Sequence, residues 1–352
     1  MTLSNKAKAV LVHLGGSIAA ILLAFAVSAV LMLMVRVSPL LVYGKLFEGV
    51  FLNPYGLAQI FFKATPLMLA GLSVAFAFHA GLFNIGAEGQ MIVGGFLCAL
   101  AAYYVHLPWI LHVPLCILVA MLGGVLWAVI PAYLKAYRGA HEVITTIMMN
   151  FIAAALTGYF VAEKFHEPET VHTFTAQATS FIPRLSVMLG FCKGSPANMS
   201  FILALLACGA VYWLLWKIPL GYEIRAFGLN SDAAATAGIN VRTRLIYAFL
   251  ISGALAGLAS VNFVLGYKHY YEEGFSSGVG FMGIAVALVG QNNPVGVAVA
   301  ALLFGALSHA TLVINGYVPK DIVEVMQALV IIFVIVLNGV TRKIVAERFG
   351  DR

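Results

Sequence analysis

The chain has 352 residues, 62% of them hydrophobic and only 10% charged, with a mean hydropathy of +0.98. Water-soluble domains carry about 25% charge, so this composition excludes them and places the chain in a bilayer. Twenty Lys and Arg against 14 Asp and Glu give a net charge of +6 and a pI near 9.1, but the basic residues lie scattered over loops, without the stripe that nucleic-acid binding requires. Cys98, Cys116, Cys192 and Cys208 show no paired ligand spacing, and neither a zinc site nor a disulfide framework is indicated. Nearly unbroken apolar runs, as at 18–35 and 322–337, argue for helices over the alternating strands of a membrane barrel.

In chain order, Lys6 and Lys8 precede an apolar run reaching Val35, which is too long for a cleaved signal peptide and reads as an uncleaved first helix. Further apolar helices are expected near 57–78, 91–105, 109–134, 143–162, 201–216, 245–267, 279–289, 295–316 and 322–340, about ten in all. The fold class is therefore an all-α, polytopic membrane helical bundle, with residues 1–352 forming a single transmembrane domain. The runs at 91–105 and 279–289 are too short to cross about 30 Å of hydrocarbon, which suggests broken or re-entrant helices. The Gly-rich segment 81–90 leads into the first, the second is itself the Gly-rich span 278–290, and starting from opposite faces they are consistent with an inverted repeat. An even number of crossings puts both termini on one side with the basic loops at 135–138 and 217–244. By the positive-inside tendency that side is the cytoplasm. The longest outer segment, 163–199, contains Pro168, Pro183 and Pro196 and reads as an extracytoplasmic loop with little core of its own.

No Gly-rich phosphate loop followed by Lys and Ser or Thr is present, so the chain does not hydrolyse ATP by that route. Nor is there a zinc-protease helix, a nucleophile elbow or a carboxylate pair with catalytic spacing, which argues against an enzyme. The 81–90 stretch sets Asn84, Glu88 and Gln90 among glycines between two apolar runs. Either it dips into the membrane and these side chains line a conduit, or it is a connecting loop with Glu88 capping the following helix. Glu142, Thr145, Thr146 and Asn150 fall on about one helical face, a polar stripe along a substrate path or a set of helix-to-helix hydrogen bonds. Asn262, His309, Asn315 and Glu324 raise the same question in later helices, while Phe83 and Phe281 are aromatic candidates beside the polar segments. Between 221 and 244, Asn230 or Ser231 can cap a short Ala-rich helix from Ala233 that Gly238 ends, and a small Ala face admits close approach by another protein.

Four separated runs, FHAGLFNIGAEGQ at 78–90, EVITTIMMN at 142–150, RAFGLN at 225–230 with Ala233, Ala234, Gly238 and Ile239, and GFMGIAVALVGQNNP at 280–294, resemble the permease subunits of bacterial ABC importers. They look like the group handling simple sugars, branched-chain amino acids and nucleosides, with the nucleoside type nearest, and the resemblance runs from about 57 to 338. It implies a multi-pass chain of the bacterial inner membrane that binds no cofactor itself. Its partners would be a second permease (a copy or a sister), ATPase subunits holding ATP and Mg, and an extracytoplasmic substrate-binding protein. The loop bearing Arg225, Asn230, Asp232, Ala233, Ala234, Gly238 and Ile239 resembles the coupling helix that seats in an ATPase cleft, with Asp232 where many members have Glu. Phe83, Asn84, Glu88, Gln90, Glu142, Thr145, Asn150, Asn262 and Phe281 then become candidates for the translocation path. The competing reading is an ion-coupled secondary transporter using intramembrane acids such as Glu88 or Glu324.

Overall fold

The computed structural model describes residues 3–186 and 194–349, so Cys192 lies outside the described residues. Every apolar run expected from the sequence is helical. In chain order the helices are α1 (Leu3–Met34), α2 (Pro39–Phe47), α3 (Pro54–His79), α4 (Ala87–Tyr104), α5 (Trp109–Arg138), α6 (Glu142–Glu163) and α7 (Ser200–Lys217). They are followed by α8 (Pro219–Leu229), α9 (Ser231–Thr236), α10 (Val241–Ala259), α11 (Val279–Val289), α12 (Pro294–Ile314) and α13 (Lys320–Phe349). Among the described residues, 7 helices are long and apolar enough to cross a membrane. Of the expected ten, the other three are α1, which contributes the shorter apolar stretch Ala19–Met34, α11, which has 11 residues, and α4, whose first turn spends its length on Glu88 and Gln90.

The chain divides into two compact units. One comprises Met1–Gly56 and Leu307–Arg352 and is built on the pairing of α1 with α13. Gly16 permits that pairing, because a Cβ there would meet the Thr341 methyl at 2.3 Å. In the same unit α2 closes onto α1, the Tyr43 hydroxyl donating to the Phe25 carbonyl at 2.6 Å.

The other unit, Leu57–Ala306, carries the candidate sites. Its centre is set by α3 and by the span Val241–Lys268, whose apolar stretches are 89% and 78% buried, whereas those of α5, α6 and α7 are only 28%, 28% and 33% buried. The weakly buried helices turn Leu, Ile, Phe and Trp outward, as a lipid-facing ring does. Without a hydrophobic drive between helices in lipid, close backbone packing must hold them together, and small residues allow it. A Cβ on Gly124 would lie 2.1 Å from the Gly253 carbonyl, and one on Gly257 would lie 2.2 Å from the Ala120 carbonyl, so α5 and α10 touch backbone to backbone.

Residues 164–186 are held by pairing along their backbone. Thr173 donates to the Tyr271 carbonyl at 2.8 Å, Ala176 to His269 at 2.7 Å and Ile182 to Leu265 at 3.0 Å. The Gln177 amide adds a bond to the Tyr103 carbonyl at 2.7 Å. Beneath this strap Tyr271 is fully buried, its hydroxyl donating to Thr157, and burial pushes the phenol up to about 12. Burial, and then the Arg184 charge, push the His269 imidazole below its ordinary value.

Candidate translocation core and coupling surface

Helix α3 ends at His79 and the chain turns through Gly81, whose φ of +66° suits glycine, before α4 begins at Ala87. The intervening polar groups are all drawn inward. Asn84 donates to Gln90 at 2.9 Å and to the Ser252 hydroxyl at 2.8 Å, while its carbonyl oxygen accepts from the Gly86 amide at 3.0 Å. Ser252 in turn donates to the Ser73 carbonyl at 2.7 Å, which ties the segment to α3 and α10. The N-terminal amides of any helix lack intrahelical partners. Asn150 on α6 supplies one for α4, accepting from Gly89 at 2.8 Å and donating to the Ile85 carbonyl at 3.0 Å.

Glu88 makes the longest-range connection. One carboxylate oxygen accepts from the Ser276 hydroxyl at 2.5 Å and the Gly278 amide at 3.2 Å, and the other from the Gly280 amide at 2.6 Å. The buried Glu88 side chain thus caps α11, whose own N-cap is Gly278 and offers no side chain. Unpaired amides and the positive end of the helix dipole stabilise a carboxylate in that position. Glu88 therefore does cap a helix, but α11 in place of its own α4. Gly280 makes room for it, since a Cβ there would stand 2.4 Å from the Glu88 backbone nitrogen.

The other candidates separate. Thr146 and Asn150 are buried against the 81–90 stretch, whereas Glu142, at the start of α6, pairs with Lys135 at 2.7 Å. Thr145 and Thr146 both turn back to the Glu142 carbonyl, at 3.1 and 2.7 Å. This face thus carries an ion pair at one end and interhelical hydrogen bonding at the other. Asn262 sits in a second buried cluster, accepting from Ser200 at 2.9 Å and Asn198 at 3.1 Å and donating to the Phe62 carbonyl at 3.3 Å. Phe83 is half-buried, edge-on to Phe78 at 5.1 Å, and Phe281 is 47% exposed. Sequence reading missed Ser73, Ser252, Ser276, Gly278 and Gly280; for the last three, the Ser-Gly run just before an apolar helix was the available signal.

The 230–239 stretch is organised locally. The Asn230 side chain accepts from the Asp232 and Ala233 amides at 3.0 Å each, an N-cap. At the other end Gly238, with φ +86°, donates to Ala235 at 3.0 Å and Ile239 to Ala234 at 3.0 Å, the paired bonds of a Schellman ending. Asp232, Ala233 and Gly238 are exposed, Ile239 is partly covered, and Ala234 alone among residues 231–238 is buried. Arg225 differs: its Nε donates to the Leu215 carbonyl at 3.1 Å and its guanidinium lies 5.8 Å from the Trp216 ring, which fastens α8 to α7.

The family model described as branched-chain amino acid transport system / permease component matches residues 56–335, nearly the stretch over which the motifs run. The chain belongs to this family. Curated relatives agree along most of its length. The guanosine ABC transporter permease protein NupP of Bacillus subtilis is 38% identical over 329 residues, 92% of this chain and 93% of its own. The nucleoside ABC transporter permease protein NupB of Lactococcus lactis is 34% identical over 343 residues, 95% and 93% of the two chains. The glucose ABC transporter permease protein TsgB13 of Haloferax volcanii is 33% identical over 349 residues, 96% and 91%. The permease is thus a multi-pass transport subunit of the ABC class and not itself an enzyme.

Proposed function

We propose that this permease forms the translocation path for a nucleoside across a bacterial inner membrane, in an importer whose power comes from separate ATPase subunits seated on α9. An extracytoplasmic binding protein delivers the substrate, a second permease completes the path, and ATP and Mg belong to the ATPase subunits. The observation that carries this reading is the 230–239 helix. It is capped and terminated by its own residues, holds the bundle through Ala234, and leaves Asp232 and Ala233 open to a partner. The nucleoside choice follows the relatives named for guanosine and nucleosides; glucose, named for a third, is the second choice.

The mechanism asks little chemistry of the permease. Closure of the ATPase dimer displaces α9, and the helices of the second unit switch access from one side of the membrane to the other. Glu88, Asn84, Gln90 and Asn150 hold the irregular 81–90 backbone in place during that switch, because polar backbone at membrane depth must keep its partners. Guanosine uptake into vesicles carrying the assembled importer tests this reading. Asp232→Arg and Gly238→Pro are expected to abolish uptake with insertion unchanged, and normal uptake in both would contradict the coupling role. Uptake by the permease alone, lost on collapsing an ion gradient, would favour a secondary transporter.

A further inference from the structure

The short helix α11 is gripped at both ends by one stretch of chain. At its start, Glu88 holds the Ser276 hydroxyl and the Gly278 and Gly280 amides. Just beyond its end, the His79 Nε2 lies 2.9 Å from the Asn292 carbonyl, an oxygen that can only accept, so the ring nitrogen is the donor. Between the grips α11 packs closely on α3: a Cβ on Gly283 would lie 2.8 Å from the Ala70 backbone, and one on Gly71 would lie 2.8 Å from the Val286 side chain. The turn beyond α11 holds Gln291 and Asn292 at φ +54° and +56°, left-handed values that Asn adopts readily and Gln seldom does.

The same stretch is touched from the other direction by α8, the helix that leads directly into α9. A Cβ on Gly228 would stand 2.2 Å from the His79 carbonyl and 2.9 Å from the Gly81 nitrogen, and one on Gly81 would stand 3.1 Å from the Gly228 carbonyl. Two backbones therefore press on each other with no side chain between them to absorb a displacement. Gly228 lies two residues before the Asn230 cap, and α8 is itself fixed to α7 by Arg225.

Resting on the reading of α9 as the ATPase seat, we infer that residues 79–88 form a bracket that carries α11, and that Gly228 is the joint through which the coupling loop drives it. His79 and Glu88 are positioning residues in this device. They make the displacement of α8 and the tilt of α11 one motion. Interior packing of this density transmits a shift as a unit, whereas a side chain inserted at the joint separates the faces.

The test uses the importer assembled with its ATPase subunits and binding protein in proteoliposomes, in a Cys192→Ser background with Ser277→Cys, an exposed position at the start of α11, as a maleimide reporter. The labelling rate is expected to change about fivefold or more between the nucleotide-free and the ATP-vanadate states, the scale of an ordinary coupling. Gly228→Ala should erase that change while ATP hydrolysis and co-purification of the ATPase subunits stay within about twofold. His79→Leu should erase it as well, and His79→Gln, which keeps an N–H donor, should restore it; that rescue also decides the matter if Gly228→Ala fails to fold. Gly209→Ala, where a Cβ meets nothing within 4 Å, should leave it intact. Equal labelling in both states of the unsubstituted joint, or a change that survives both Gly228→Ala and His79→Leu, overturns the bracket. Failure of the ATPase subunits to co-purify with the unsubstituted permease would instead overturn the coupling role of α9 and leaves a different signature.

Discussion

The 81–90 and 230–239 stretches are both short, polar and turned by a glycine of positive φ, yet they spend their hydrogen bonds in opposite ways. In 81–90 the bonds reach Asn150, Ser252 and the Ser276 to Gly280 run, far away in sequence. In 230–239 they close within five residues, from the Asn230 cap to the Ile239 bond on Ala234. A segment of the first kind is held by the whole unit and moves only when its partners move. One of the second kind keeps its shape wherever it is pushed, which suits it to receive a partner's surface.

This contrast can be broken at either end. Asn150→Ala leaves the part-buried Ile85 carbonyl and the buried Gly89 amide unpaired, at about 1–3 kcal/mol each at most. It should therefore give the largest fall in thermal midpoint or folded yield in detergent. Glu88→Gln keeps the shape and one good acceptor but loses charged bonds to the Gly278 and Gly280 amides, and a loss of about 2 kcal/mol is expected in the same assay. Asn230→Ala should cost about 1 kcal/mol, confined to α9 and visible as faster amide exchange there, with the global midpoint unmoved. Asp232→Ala should shift stability by less than about 0.5 kcal/mol while lowering guanosine uptake. A midpoint that falls as far for Asn230→Ala as for Asn150→Ala would erase the distinction between the two stretches.

Local physics made much of this legible in the sequence. Long apolar runs had to be helices because lipid leaves backbone groups no other partner, and each expected run did become one. The Asn230 cap and the Gly238 stop were readable because both act within a single turn. The start of α4 at Ala87, four residues before the expected run at Met91, was hidden because Glu88 and Gln90 look like loop residues until their partners are known. The Glu88 partners, in the Ser276 to Gly280 run, lie beyond any local pattern, as does Ser252, the partner of Asn84, and so did the choice of α11 over α4 as the helix that Glu88 caps. The Glu142 to Asn150 face followed helical spacing correctly, but spacing does not say that one end meets Lys135 and the other the 81–90 backbone.

Amide hydrogen exchange on the permease alone and on the permease assembled with its ATPase subunits tests the central claim most directly. The account predicts strong slowing at residues 231–238 on assembly, with 84–90 slow in both samples. Unchanged exchange at 231–238 in an assembly that hydrolyses ATP would contradict it.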